Sequence, residues 1–184
     1  ELKETQTSLW HILDDLEALY LPQASHKKIA LKINLAANVP RFIKVDATRL
    51  RQVLFNLLSN AVKFTSEGFI TLSLTAYTLV DKTVLKFSIK DSGVGIDPKL
   101  HGQLFDVFSY QKNNTDDQGG SSQGLGLSIC RNLVEMMGGS ISVESDLGKG
   151  AEFCFTLPLE SSLAVSEFPV WQNSGVLLAI EDLS

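Results

Sequence analysis

Cysteine and any large excess of charge are scarce in this 184-residue chain, and each scarcity removes a class of function. The two cysteines, Cys130 and Cys154, have a spacing that suits neither a redox pair nor a zinc site, and three scattered histidines add no ligand cluster. Both cysteines read as buried small hydrophobes in a reducing compartment. The balance of 16 Lys and Arg against 21 Asp and Glu leaves a net charge of −5, which argues against a broad nucleic-acid footprint. Any polyanion bound here must be met locally. No stretch approaches the ~18 apolar residues that span a bilayer, and the opening ELKETQTSL lacks the basic start and apolar core of a signal peptide, so the sequence reads as a soluble piece. No GKS or GKT of a P-loop is present. The glycines of DSGVGI are not followed by the helix and acidic residue of a βαβ dinucleotide fingerprint, so a Rossmann site is excluded as well.

With 44% hydrophobic and 20% charged residues, the chain is long enough for one well-packed domain and short of two. Leu9, Ile12, Leu13, Leu16, Leu19 and Tyr20 recur at helical spacing, which predicts an amphipathic helix over Leu9–Leu21 closed by Pro22. Ile29, Leu31, Ile33 and Leu35 alternate with other residues as a half-buried strand, ended by the turn-like AANVP. Asp46 stands where an N-cap belongs, and Leu50, Val53, Leu54, Leu57, Leu58 and Ala61 line one face of a long helix that stops before Gly68. Strands are expected over about Phe69–Thr78 and Val84–Lys90, with a turn around Asp81 and Lys82. A short helix is expected from Pro98 to Phe105. SYQKNNTDDQGGSSQ, residues Ser109 to Gln123, is polar and Gly-rich without periodicity and reads as a long loop. GLGLSICRNLVEMMGG forms a helix ending at Gly138 and Gly139, followed by strands Ser140–Ser145 and Ala151–Leu157. Strands in pairs separated by helices indicate a mixed α/β sandwich rather than a regularly alternating parallel sheet.

Within the second helix, NLLSNAVKFT places Asn56, Asn60 and Lys63 at i, i+4 and i+7 on one stripe beside the apolar face. A solvated polar face would explain such a stripe. Asparagine is nevertheless a poor interior helix former, and an amide oxygen is a hard neutral ligand suited to Mg²⁺ shared with phosphate. Asp91 ends a strand and opens DSGVGI. The motif is either an ordinary turn or a place where Gly93 and Gly95 let the backbone approach a ligand while the Asp91 carboxylate accepts from an exocyclic amine such as that of adenine. Gly124 and Gly126 open a helix after the long loop, where free N–H groups and the dipole favour phosphate; a flexible linker entering a helix is the plainer reading.

The order of these parts resembles the ATP-binding boxes of the sensor histidine kinase catalytic domain. RLRQVLFNLLSNAVKFT matches the N box, DSGVGI and GLGLSI the two glycine boxes, and LFDVF, with Phe105 and Phe108, the Phe box; the resemblance covers about Ile29 to Leu159. It implies an α+β fold, a two-layer sandwich of the Bergerat (GHKL ATPase) type with a mixed sheet packed on helices. It implies that Asn60 coordinates Mg²⁺ on the ATP phosphates with Asn56 in support, that Lys63 contacts phosphate, and that Phe64 packs on adenine. Asp91 would read the adenine amine, with Gly93, Gly95 and Ile96 shaping the pocket. Gly124, Leu125, Gly126 and Leu127 would hinge a lid over Ser109–Gln123 with Gln123 toward phosphate, and Thr156 would help to hold adenine.

In hydrolases of the wider superfamily a glutamate stands where Asn56 does and activates water; an amide cannot take that proton, so the resemblance is to the transferring branch. No histidine here is followed by glutamate as in the family's phosphoacceptor motif. Residues 1–22 are therefore expected to be a connector helix following a dimerisation and phosphoacceptor hairpin, 23–160 the catalytic domain, and 161–184 a linker. In that linker GVLLAIEDLS resembles the first strand of a receiver domain, with Glu181 and Asp182 as its acidic pair, or is a plain strand. The implied partners are the dimerisation or histidine phosphotransfer domain of the parent chain and a receiver domain or response regulator. The implied parent is a hybrid, membrane-anchored homodimer of the bacterial inner membrane with this domain in the cytoplasm. The lid carries no arginine and only Lys112 as a cation, and the family's GGTGLGL reads SSQGLGL. A catalytically weak nucleotide-sensing or docking module is therefore the alternative.

Overall fold

A computed structural model describes residues 2–79, 82–106 and 125–159. The elements run β1 (Thr5–Ser8), α1 (Leu9–His26), β2 (Ile29–Leu35), β3 (Phe42–Val45), α2 (Ala47–Phe64), β4 (Gly68–Leu79), β5 (Lys82–Asp91), a 3-10 helix (Pro98–Gln103), α3 (Leu125–Met136), β6 (Ser140–Ser145) and β7 (Ala151–Leu159). Five strands form one sheet in the order β2-β4-β5-β7-β6, with β2 and β4 parallel and the other pairs antiparallel. β1 and β3 make a separate antiparallel pair.

The alternation of side chains fixes which face of the sheet is covered. Leu72 and Leu74 on β4 register with Ile89 and Phe87 on β5, and these with Phe153 and Phe155 on β7; all six are buried. Phe87 stacks on Phe155 with centroids 4.5 Å apart and planes 3° from parallel. The intervening residues, among them Thr71, Ser73, Thr75, Lys86, Ser88 and Thr156, lie on the opposite, polar face. The apolar face packs against the helices, and α1, α2, α3 and the strands contribute to one continuous core. Each fully buried Leu or Phe in it contributes about 1.5–3 kcal/mol of transfer free energy. The architecture is the expected α+β sandwich.

The structure departs from the sequence reading in several places. α1 does not close at Pro22 but runs on to His26, which is the last helical residue rather than part of a loop. Pro22 is exposed and forfeits the bond to the Ala18 carbonyl, yet the following turn buries Ala24 and the Gln23 amide donates to the Leu19 carbonyl at 3.1 Å, so packing outweighs one lost bond. The boundary placed between residues 22 and 23 therefore falls inside a helix. That helix buries Leu9, Ile12, Leu13 and Leu16 in the common core. β1 and β3, each four residues, were not anticipated. The helix expected from Pro98 to Phe105 is a 3-10 turn ending at Gln103, and Lys82 opens β5 instead of sitting in the preceding turn. Among the described residues no helix is long and apolar enough to cross a membrane.

Candidate nucleotide-binding site

α2 begins as its sequence dictates. The Asp46 side chain accepts from the Arg49 N–H at 3.1 Å and, with its other oxygen, from the Lys3 N–H at 2.9 Å, which caps the helix and ties down the chain entering β1. Leu50, Val53, Leu54, Leu57, Leu58, Ala61 and Val62 are buried, leaving Asn56 and Asn60 half-buried at the margin of that face and Lys63 exposed. Asn56 is turned toward α3, where its side chain hydrogen-bonds the thiol of Cys130; burial pushes that thiol up to about 11, against the opposing effect of this bond. Cys130 Sγ lies 3.9 Å from the Val53 carbonyl. Lys63 Nζ stands 5.3 Å above the Phe64 ring, which is 48% exposed at the end of the helix.

The C-terminal end of α2 abuts the DSGVGI turn. The Phe64 carbonyl accepts from the Val94 N–H at 3.3 Å, and a Cβ on Gly93 would collide with that same carbonyl. Gly95 takes φ +69°, and a Cβ there would run into the Asp146 carbonyl of the β6–β7 turn. That turn is fastened further by the Gly148 N–H to the Val94 carbonyl at 2.8 Å and by the Ile96 N–H to Ser145 Oγ at 2.8 Å; Ser145 Oγ in turn donates to the Gly150 carbonyl at 2.7 Å. The close approach that these two glycines allow is thus realised against the protein's own backbone.

Asp91 closes this corner. It is 6% exposed, its Oδ1 accepts from the Gly93 N–H at 2.8 Å, and the carboxylate also accepts from the Ala151 N–H. Burial raises the carboxyl above its usual range, and the bonds from Gly93 and Ala151 oppose that rise. Asn60, Lys63, Phe64, Asp91, Gly93, Gly95 and Ile96 therefore sit on two segments in contact, the end of α2 and the turn after β5. Gly126 lies in the first turn of α3 with open space around it, and Leu127 packs against the core. Phe105 packs edge-on against Phe153 at 6.4 Å. Phe108, Lys112, Gln123, Gly124, the loop Ser109 to Gln123, the Leu125 side chain, and Glu181 and Asp182 lie outside the described residues.

Thr156 is not brought to this corner. It pairs with Lys86 in the middle of the sheet, on the polar face, and its Oγ1 lies 3.0 Å from Ser140 Oγ. Asp91 points to the helix side and lies beside Ala151, five residues and about 16 Å along β7. An odd separation on a strand puts the two side chains on opposite faces, so Thr156 cannot reach a base held by Asp91 in this fold. Ala151 is the β7 residue at the corner. The signal for it was the glycine-flanked GKGA turn followed by an alternating strand, which needed the β5–β7 register to be read.

The donor set suits a shared metal rather than a protein cage. Among the described residues no group of three His, Cys, Asp or Glu could hold an ion. The Asn60 amide oxygen, half-exposed beside the turn, offers a single neutral hard ligand, which fits an ion that takes its other ligands from phosphate and water.

Residues 45–161 match the family described as histidine kinase-, DNA gyrase B- and HSP90-like ATPases. Over 162 residues the chain is 36% identical to the autoinducer 2 sensor kinase/phosphatase LuxQ of Vibrio vulnificus, covering 86% of this chain and 19% of that protein. It is 39% identical over 148 residues to the sensor histidine kinase RcsC of Escherichia coli, covering 80% of this chain and 15% of that protein. Hybrid signal transduction histidine kinase C of Dictyostelium discoideum is 32% identical across 98% of this chain and 15% of its own length. The chain thus spans less than a quarter of these relatives. Among solved structures, full-length ShkA in complex with AMPPNP superposes with a TM-score of 0.74 at 34% identity, covering 89% of this chain and 33% of that one. The nucleotide-free catalytic domain of the histidine kinase ThkA gives 0.65 at 28% identity, covering 85% of this chain and 95% of that one.

Proposed function

This chain belongs to the histidine kinase-, DNA gyrase B- and HSP90-like ATPase family, and from that premise we propose that it is the ATP-binding catalytic domain of a two-component sensor histidine kinase. In this reading it holds ATP for transfer of the γ-phosphoryl group to a histidine on a dimerisation domain. The observation that carries the proposal is the interlock of the α2 C-terminus with the Asp91–Ile96 turn, which sets a buried carboxylate at one end of a corner and the Asn60 amide and Lys63 at the other. Asp91 accepts from the adenine amine, Phe64 offers an exposed ring to the base, and Lys63 faces the phosphates. Asn60 would hold Mg²⁺ through its amide oxygen, and the ion, when bound, neutralises phosphate charge.

The choice of transfer over hydrolysis rests on α2 itself. Its sequence ATRLRQVLFNLLSNAVKF contains no carboxylate, so the helix that flanks the phosphates carries no general base for water, and the amide of Asn56 cannot serve as one. The chain's remaining contribution is orientation and charge. None of its histidines carries the following glutamate of the family's acceptor motif, Ile12, Lys27 and Gly102 standing there instead, and His101 lies in the 3-10 helix with Nε2 buried and unpartnered. The acceptor belongs to another domain. A membrane-anchored homodimeric parent with a cytoplasmic kinase domain, passing phosphate on to a receiver domain, completes the proposal.

The test is calorimetric titration of ADP and of a non-hydrolysable ATP analogue with and without Mg²⁺, followed by addition of a separate dimerisation domain and labelled ATP. Micromolar, Mg²⁺-enhanced binding and an acid-labile phosphohistidine are expected. Binding without phosphohistidine would support the nucleotide-sensing alternative, favoured by a loop whose one cation is Lys112. No binding at all would overturn the assignment of the corner.

A further inference from the structure

Among the last carbonyls of α2, those of Ala61 and Phe64 have backbone partners, the N–H groups of Thr65 at 3.1 Å and Val94 at 3.3 Å. Those of Val62 and Lys63, together with that of the C-cap Thr65, are met by one side chain from a distant part of the chain. Lys27 Nζ lies 2.6 Å from the Val62 carbonyl, 3.5 Å from that of Lys63 and 3.4 Å from that of Thr65. An ammonium has three donors and no acceptor, which matches three converging carbonyls. Lys27 is itself held in place: it is the C-cap of α1, its N–H donates to the Ala24 carbonyl at 3.1 Å, and Lys28 at φ +59° turns the chain into β2.

We propose that Lys27 is a positioning residue for the nucleotide site, one that fastens the end of α2 and makes it tolerant of phosphate. The inference rests on the function proposed above, and it adds a residue to which that reading gives no role. Asn60, Lys63 and Phe64 all lie in the last turn and a half of α2, and the carbonyls that Lys27 binds bracket Phe64, whose own carbonyl holds the glycine turn. A helix C-terminus carries about half a negative charge, the wrong sign to set beside a polyphosphate. A cation seated on the carbonyls cancels that charge. Lys27 therefore acts most on the phosphate end of the ligand, through the charge of the α2 terminus, and less on the adenine end, where Phe64 shares that terminus but Asp91 is held by the Gly93 N–H.

This separation gives the experiment. Wild type, Lys27→Met and Lys27→Arg are titrated with Mg²⁺–ADP and with adenosine, well below the melting temperature of each. The Met variant is expected to bind Mg²⁺–ADP roughly ten-fold more weakly, the loss of about one charge-assisted interaction, with adenosine affinity falling by much less, so that the ratio of the two affinities drops. The Arg variant is expected to recover most of the loss. Lys27 is exposed, so the Met variant should fold; Lys27→Gln, which keeps donors without the charge, takes its place if it does not and is expected to show an intermediate loss. Lys27 serving only to stabilise the fold would lower the melting temperature and leave the ratio of ADP to adenosine affinity at its wild-type value, and that result overturns the inference. Failure of the wild type to bind either ligand would instead refute the site assignment on which the inference rests.

Discussion

Asp91→Asn tests the adenine end directly, because the substitution keeps volume and removes only charge and one acceptor. In the wild type two backbone N–H groups converge on a carboxylate that is 6% exposed. An amide can satisfy one of them with its oxygen, and its nitrogen must then face either the second N–H or the amine of the base. Losing a hydrogen bond to a charged acceptor costs about 1.5–3 kcal/mol, so ADP affinity should fall roughly ten- to hundred-fold. Stability should change far less, since the unsatisfied donor is offset by removal of a buried charge. The pH dependence sharpens the test. Burial raises the folded-state carboxyl above its ordinary 3.8, so the native chain holds this proton more tightly than the unfolded one. Asp91's stabilising contribution is full below the ordinary value and is lost as pH rises through the raised one. Binding runs the other way, because the amine needs the ionised carboxylate: ADP affinity falls as pH drops through that same window. Calorimetry and thermal melting between pH 4 and pH 8, with Asp91→Asn as reference, should show both trends in the wild type and neither in the variant. Equal ADP affinity in the two proteins at neutral pH would refute the reasoning.

Asn60→Ala should remove the Mg²⁺-dependent increment of nucleotide binding while stability stays within about 0.5 kcal/mol, because the side chain is half-exposed and outside the core; a Mg²⁺ titration at fixed ADP reads the first and thermal melting the second. Phe87→Ala removes a fully buried ring stacked on Phe155 and should cost about 3–5 kcal/mol in urea denaturation. Gly95→Ala forces a Cβ against the Asp146 carbonyl at φ +69° and should cost about 1–3 kcal/mol, with nucleotide affinity falling as well because the turn that carries Asp91 must shift.

Local and periodic features were legible in the sequence. The buried stripe of α2 and its Asp46 cap depend on residues within a turn of one another, and the alternation of β5 leads straight to a strand-end acid at Asp91. What depended on distant pairing was not. α1 passes through Pro22 because Ala24 is buried at a site that only the assembled core creates. β1, with the polar sequence TQTS, is a strand because β3 lies beside it. Thr156 follows the expected strand sequence, but its face and distance from Asp91 come from the β5–β7 register, which no single strand encodes. Lys27 is the extreme case: it stands 35 residues from the nearest carbonyl it caps, and nothing in HKKI distinguishes it from Lys28.

These distant contacts divide the site into two ends of different construction. The end proposed for adenine is braced: Asp91, the glycine turn and the β6–β7 turn are bound to one another through Gly93, Val94, Ile96, Ser145 and Ala151. The end proposed for the phosphates is a surface, formed by half-exposed Asn60 and exposed Lys63 near a helix terminus whose carbonyls Lys27 meets. In the proposed reading this corner would fix one end of the nucleotide without contacting the transferred group, and the acceptor would approach from the open side. That asymmetry suits a domain that presents ATP to a second protein surface: binding energy is taken at the base, where it can be uniform, and the phosphoryl group is left accessible where transition-state contacts must form.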